Sequence, residues 1–254
     1  MRLSNRVALV TAAGSGMGRA GARRFAAEGA HVVVTDLDEA AAKETASLIE
    51  SDGGSAESRQ LDVADLTAID DLVAAVDRDH GVLHVLYNHA GIPGASGLQM
   101  PPDQFDFAID VNLKGAFYLA GAAVPLMERA DGKGSIIFTA SVSGLVGSPF
   151  SPLYSMTKGG IVLLMKSMAL NLAPKIRVNA ICPGPVDTPM LPQFFGREPG
   201  ANVADLMSGF MSSVPMQRPC QPEEIAAAAA FLASDDASFV TGVPLPVDGG
   251  YVAR

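Results

Sequence analysis

Short apolar runs alternate along the chain with longer stretches whose apolar residues recur at helical spacing. Residues 7–11, Val-Ala-Leu-Val-Thr, predict a buried strand. A glycine-rich turn follows, then helical spacing over 18–28 that stops at Gly29. Residues 31–35 predict a second strand, 38–50 an alanine-rich helix stopped by Gly53 and Gly54, and 56–63 a weaker third strand. A helix is expected over 65–79, with Gly81 beyond its end, and a fourth strand over 82–87. The second half keeps the rhythm: a long helix over 105–127 with Pro125 near its end, a strand over 135–140, and a helix over 154–172 closed by Pro174. A strand over 177–181 and a proline-opened helix over 222–233 follow. Residues 243–247 predict a short last strand, placed at an edge because Pro244 and Pro246 cannot donate ladder bonds.

This alternation implies βαβ units: a Rossmann-type, doubly wound α/β fold, its parallel sheet of about seven strands covered by helices on both faces. Ligands of such folds sit beyond the carboxyl ends of the strands. The stretch 183–219, rich in Pro, Gly, Met and Phe, is long for a connection and reads as a lid or binding loop. We expect residues 1–254 to be one domain, with 187–216 as its substrate loop.

Composition narrows the function classes. The chain has 254 residues, 48% hydrophobic and 18% charged, which suits a globular domain. A formal net charge of -9 without a basic run disfavours nucleic acid as a partner. The longest apolar run, 161–172, is short for a bilayer and holds Lys166 and Asn171, so no membrane partner is expected. No signal-peptide pattern follows Met1. Cys182 and Cys220 have no metal-ligand spacing, so no metal is expected, and both read as reduced thiols of a cytoplasmic protein.

The turn Thr11-Ala12-Ala13-Gly14-Ser15-Gly16-Met17-Gly18 links a strand to a helix, the context that a dinucleotide fingerprint needs. Glycines admit a pyrophosphate to the backbone, and the helix start offers free N–H groups. An ordinary glycine-rich βα turn would read the same way. Asp36, with Leu37 beside it, ends the second strand, where a carboxylate can accept from both adenosine ribose hydroxyls. It would also repel a 2′-phosphate, and no Arg or Lys adjoins it in sequence, which favours NAD over NADP. The alternative is that Asp36 caps the following helix. Asp62-Val63 and Asn88-His89-Ala90-Gly91 end the third and fourth strands, where adenine and the cofactor could rest.

Tyr154 and Lys158 lie one turn apart on one helix face. A phenol with a pKa of about 10 is poorly matched to neutral acid/base work. An ammonium at about 4 Å supplies an attraction on the order of 4 kcal/mol, favouring phenolate. A half-buried tyrosine beside a solvated lysine is the bland alternative. Ser141, at the carboxyl end of the fifth strand, could hold a substrate oxygen while Tyr154 exchanges its proton.

These motifs, in this order and over nearly the whole chain, resemble the short-chain dehydrogenase/reductase family. The turn 11–18 resembles its Thr-Gly-x-x-x-Gly-x-Gly, and residues 88–91 its Asn-Asn-Ala-Gly. Residues 183–188, Pro-Gly-Pro-Val-Asp-Thr, resemble its nicotinamide-covering segment, and Val247-Asp248-Gly249-Gly250 its C-terminal signature. The resemblance implies that Tyr154 exchanges the hydroxyl proton and Ser141 orients the substrate oxygen. Lys158 would bind the nicotinamide ribose and lower the Tyr154 pKa, and Asn112 would hold a water linking Lys158 to solvent. It also implies cofactor contacts from Gly14, Ser15, Gly16, Met17, Gly18, Asn88, Ala90, Gly91, Pro183, Gly184, Val186 and Thr188, and a homotetramer through the long helices, to which the run 161–168 would contribute.

Two positions depart from the pattern. Ala12 replaces the first glycine, costing about 1 kcal/mol if its φ is positive, unless Gly14 relaxes the turn. His89 replaces the second asparagine, and a structural role is expected for it.

On the substrate side, Met190, Phe194, Leu206 and Phe210 are expected to reach the substrate with Ser141, Val142 and Tyr154. Residues 98–102 and 142–149 would complete the pocket, unless the lid packs only on itself. Arg197 is the loop's one cation, so a neutral, partly apolar secondary alcohol or ketone is expected. Three other readings stand beside this one: an NADPH-dependent 3-oxoacyl reductase, a sugar epimerase or dehydratase on a longer chain, and a non-catalytic cofactor-sensing module.

Overall fold

A computed structural model describes residues 1–148, 151–196, 200 and 202–253. The strands are β1 (Val7–Val10), β2 (His31–Asp36), β3 (Ser55–Gln60), β4 (Val85–Asn88), β5 (Gly134–Thr139), β6 (Ile176–Pro183) and β7 (Pro244–Val247). They form one seven-stranded parallel sheet in the order β3-β2-β1-β4-β5-β6-β7. The order reverses after β3, when β4 pairs on the other side of β1, and the cleft opens at that reversal. β7 sits at the edge, as its prolines require.

Side chains alternate between the two faces of each strand. Ala8, Val10, Val32, Val34 and Val85 pack with α1 (Gly16–Ala27), α2 (Glu39–Ser51) and α10 (Pro222–Ala233). Leu9, Val33, Leu86, Ile136 and Phe138 pack with α3 (Leu66–His80), α5 (Ala116–Met127) and α7 (Pro152–Leu172). Each such Val, Leu or Ile contributes about 1.5–3 kcal/mol of burial. Helix ends follow local chemistry: Asp38 caps α2 and Asp65 caps α3 through paired backbone N–H groups, and Gly81 closes α3 in the left-handed region.

The helix expected over 105–127 is three pieces. α4 (Pro102–Ile109) and α5 flank a π-helical segment, Asp110–Gly115, which holds Asn112. Within the stretch Pro102–Met127 an 18-residue window reaches a mean hydropathy of 1.2, which matches a membrane span by length and composition alone. The stretch packs as a core helix, its apolar side against the sheet. Short helices complete the described chain: α6 (Ser143–Val146), then α8 (Leu191–Phe195) and α9 (Val203–Met211) within the loop 183–219, and one 3-10 turn at Asp235–Ala237.

Candidate active site

Tyr154 and Lys158 occupy the first two turns of α7, which opens with proline at a position whose N–H would be unspent. Lys158 is buried, and its Nζ donates to the Thr139 carbonyl at the end of β5, 2.8 Å away. Nζ lies 5.6 Å from the centroid of the Tyr154 ring. Burial pulls the Lys158 pKa down to about 8. Ser141 follows β5, is buried, and its Oγ accepts from the Ser143 N–H at 3.1 Å. Tyr154, Lys158 and Ser141 thus converge at the carboxyl end of the sheet.

Both amide atoms of Asn112 are engaged. Oδ1 accepts from the Ile92 N–H at 2.8 Å, and Nδ2 donates to the Ile92 carbonyl and the Thr157 hydroxyl. Its amide therefore splints the turn after β4. A Cβ on Gly91 would start 3.1 Å from Lys158 Nζ and 3.2 Å from Asn112 Oδ1, so glycine keeps this corner open.

Tyr154 stands where two chambers meet. One, of about 760 Å3, runs from Asp36 past Ser15, Gly16, Met17, His89 and Gly91 to Lys158 and Thr188. Asp36 Oδ2 accepts from the Gly14 N–H at 2.8 Å and Oδ1 from the Asp38 N–H at 3.0 Å, so its carboxylate is fixed at the rim. It does not cap α2, because Asp38 does. Ala12 takes a φ of +50°, and Gly16 one of +49°; Gly14 is not in the left-handed region and relaxes nothing. Gly18 is required beneath the turn, where a Cβ would lie 2.0 Å from the Ala12 oxygen. The fold also brings Arg19 to the turn. Its guanidinium donates to the Gly14 carbonyl and pairs with Glu44.

Other expected cofactor residues lie outside the chamber lining. Asn88 is buried and donates to the Ala116 carbonyl, and Ala90 and His89 donate their N–H groups to Thr11 Oγ1. Leu37 is exposed, Asp62 is exposed and accepts from the Ala64 N–H, and the Val63 carbonyl packs under Gly115. His89 is half-buried, with Nδ1 2.8 Å from Thr139 Oγ1. Burial, then the nearby Lys158 charge, pulls its pKa down to about 3, so it is neutral.

The second chamber, of about 800 Å3, is mostly apolar. Ser141, Val142, Pro183, Gly184, Val186, Met190, Phe194 and Phe210 line it, with Phe195 and Ser148. Phe194 meets the Tyr154 ring edge-on at 5.1 Å, and Phe210 is braced by Phe195 and Tyr251. Leu206 does not reach it: the side chain lies on the outer side of α9, 46% exposed. Nor do residues 98–102, since Gln99, Met100 and Pro101 line a separate cavity with Gly94. Arg197 and Pro149 lie outside the described residues. Sequence reasoning missed Thr139 and Thr11, whose only signal was a hydroxyl at a strand's carboxyl end.

A glycine turn at a helix start, an acidic residue ending β2, and a buried lysine beside a tyrosine define a dinucleotide-dependent oxidoreductase site. Comparison with known proteins agrees. The family profile described as Enoyl-(Acyl carrier protein) reductase matches residues 11–252. A meso-2,3-butanediol dehydrogenase of Serratia marcescens is 39% identical over 259 residues, covering 100% of this chain and 97% of that protein. A 3-oxoacyl-(acyl-carrier-protein) reductase of Thermotoga maritima is 37% identical over 254 residues, covering 99% of this chain and 100% of that protein. The crystal structure of an NAD+-bound xylitol dehydrogenase superposes with a TM-score of 0.93 at 34% identity, covering 98% of this chain and 100% of that one. The chain belongs to the short-chain dehydrogenase/reductase family of oxidoreductases, which use nicotinamide cofactors.

Proposed function

We propose that the protein interconverts a neutral, partly apolar secondary alcohol and its ketone with NAD(H), Tyr154 serving as general acid/base. The observation that carries this reading is the position of Tyr154 at the junction of a polar chamber and an apolar one. The residues fit a dinucleotide: Ser15, Gly16 and Met17 present the start of α1 to a pyrophosphate, and Asp36 faces the place of a ribose. Bound there, the nicotinamide supplies or accepts the hydride.

The chain's own residues manage the proton. Ser141 Oγ holds the substrate oxygen, and Tyr154 takes the hydroxyl proton in oxidation or returns it in reduction. Lys158, anchored by Thr139, favours the phenolate and reaches the cofactor ribose. With both amide hydrogens of Asn112 committed, its main chain in the π segment serves a relay from Lys158 to solvent.

Residues 187–216 act as the substrate loop, with Met190, Phe194 and Phe210 as its contacts. The Asp36 carboxylate favours NAD over NADP, and Arg19 does not reverse this because Glu44 pairs with it. The similarity to a 3-oxoacyl reductase keeps one second reading, NADPH-dependent reduction of an acyl thioester ketone. The setting is cytoplasmic and the assembly a homotetramer; exposed Phe117 and Tyr118 on α5 and Leu163 and Leu170 on α7 offer apolar faces to further copies.

Initial rates with NAD+ and paired neutral and carboxylated secondary alcohols test the substrate class. The neutral member should have the higher kcat/KM. A preference for the anionic member, or turnover only with NADPH and a 3-oxoacyl thioester, contradicts the proposal.

A further inference from the structure

We infer that His31, Glu57 and His80 form a divalent-metal site, suited to zinc, at the end of the sheet opposite the active site. His31 is the first residue of β2, Glu57 lies on β3, and His80 ends α3. One ligand atom from each falls within 4.8 Å of the others. His80 Nε2 lies 3.3 Å from Glu57 Oε1. That separation matches an edge of a tetrahedral shell with metal–ligand bonds of about 2.0–2.2 Å. The two imidazole rings are 4.9 Å apart, tilted 44° to each other.

The surroundings are those of ligating imidazoles. His31 pairs with Ser55 across the strands, and Val33 with Glu57, so Ser55 and Glu57 share one face of β3. Ser55 Oγ lies 2.7 Å from His31 Nδ1. Such a contact fixes the ring and its tautomer, the usual role of an outer partner of a metal-bound histidine. It leaves His31 Nε2 as the atom to bind, and that nitrogen is buried with no hydrogen-bond partner among the described residues. A buried, unsatisfied ring nitrogen is costly, and a cation between the three side chains removes the cost.

Two imidazoles and a carboxylate suit zinc and its neighbours better than calcium or magnesium, which take oxygen shells. Arg59 also donates to Glu57 Oε1 and pairs with Asp79, so the metal shares this carboxylate with a guanidinium. Neither chamber of the cleft includes these residues. The metal's role is therefore structural, tying the edge strand β3 to β2 and to the end of α3.

Calorimetric titration of metal-free protein with Zn2+, and with Co2+ for its visible spectrum, tests the site. The wild type should bind one equivalent per chain, show a tetrahedral cobalt band and gain thermal midpoint with zinc. Glu57→Gln and His80→Ala should each lose that equivalent, and Ser55→Ala should weaken it by roughly 10–100-fold. Should His80→Ala not fold, Glu57→Gln and Ser55→Ala carry the test. An absence of stoichiometric binding to the wild type, or an equivalent that survives Glu57→Gln and Ser55→Ala, overturns the inference.

Discussion

The two chambers that meet at Tyr154 are held in different ways. On the cofactor side the walls are short turns at the ends of β1, β2 and β4, tied by named polar bonds. Asp36 binds the Gly14 N–H, Thr45 Oγ1 donates to the Ala13 carbonyl, and Thr11 Oγ1 accepts from both His89 and Ala90. On the substrate side, Phe194 and Phe210 come from short helices in a long connection and are braced by ring contacts, with Met190 at the start of α8 beside them. Directional bonds admit one arrangement, whereas thioethers and stacked rings can repack around different apolar shapes. Under the proposed function, the difference places cofactor choice in single residues and spreads substrate choice over a surface.

Substitutions can break or sharpen this contrast. The largest effect is expected at Lys158, whose pKa burial holds at about 8 against 10.5 for the free side chain. The unfolded chain binds that proton more readily between the two values, so stability rises as pH climbs from about 8 towards 10.5. Below that window the buried charge costs up to about 3 kcal/mol. Lys158→Met should therefore lower kcat/KM by roughly 10²–10⁴-fold while raising stability at pH 7, read by steady-state rates and urea unfolding. Loss of both activity and stability would assign the lysine a structural role instead.

Asp36→Asn comes next. It leaves an acceptor for the Gly14 N–H and removes the charge, so the NADPH/NADH affinity ratio should rise roughly tenfold or more. An unchanged ratio would remove cofactor choice from this residue. Phe210→Leu should cost less, about 1 kcal/mol in kcat/KM, and change the ranking of apolar substrates. An effect larger than that of Asp36→Asn would break the contrast between the chambers. The smallest effect is at Ala12, whose positive φ is strained. Ala12→Gly should gain at most about 1 kcal/mol in stability, because glycine's extra freedom in the unfolded chain offsets part of the relief. Chemical denaturation measures it.

Much of this layout was legible because local and global signals agreed. The run at 7–11, the glycine turn and Asp36 placed β1, α1 and β2 correctly. Asp65, Gly81 and Pro222 marked helix ends that the structure keeps. What stayed hidden depended on the third dimension. The π segment at Asp110–Gly115 has the same apolar periodicity as the helices beside it, so 105–127 read as one element. Leu206 was expected among the substrate contacts, but on α9 it stays exposed and outside the chamber. Arg19 and Glu44 meet across the turn from different helices. His31, Glu57 and His80 are far apart in sequence, and only the β2–β3 register and the end of α3 bring them together.

The most direct test of Tyr154 as the acid/base is the rate of NADH formation from NAD+ and a neutral secondary alcohol, for the wild type and Tyr154→Phe, with NADH affinity measured on both. Turnover by the wild type, a loss of at least roughly 10²-fold in the variant, and unchanged NADH binding are the expected results. Turnover that survives the substitution, or a wild type that binds NADH yet turns over no alcohol or ketone, would contradict the assignment.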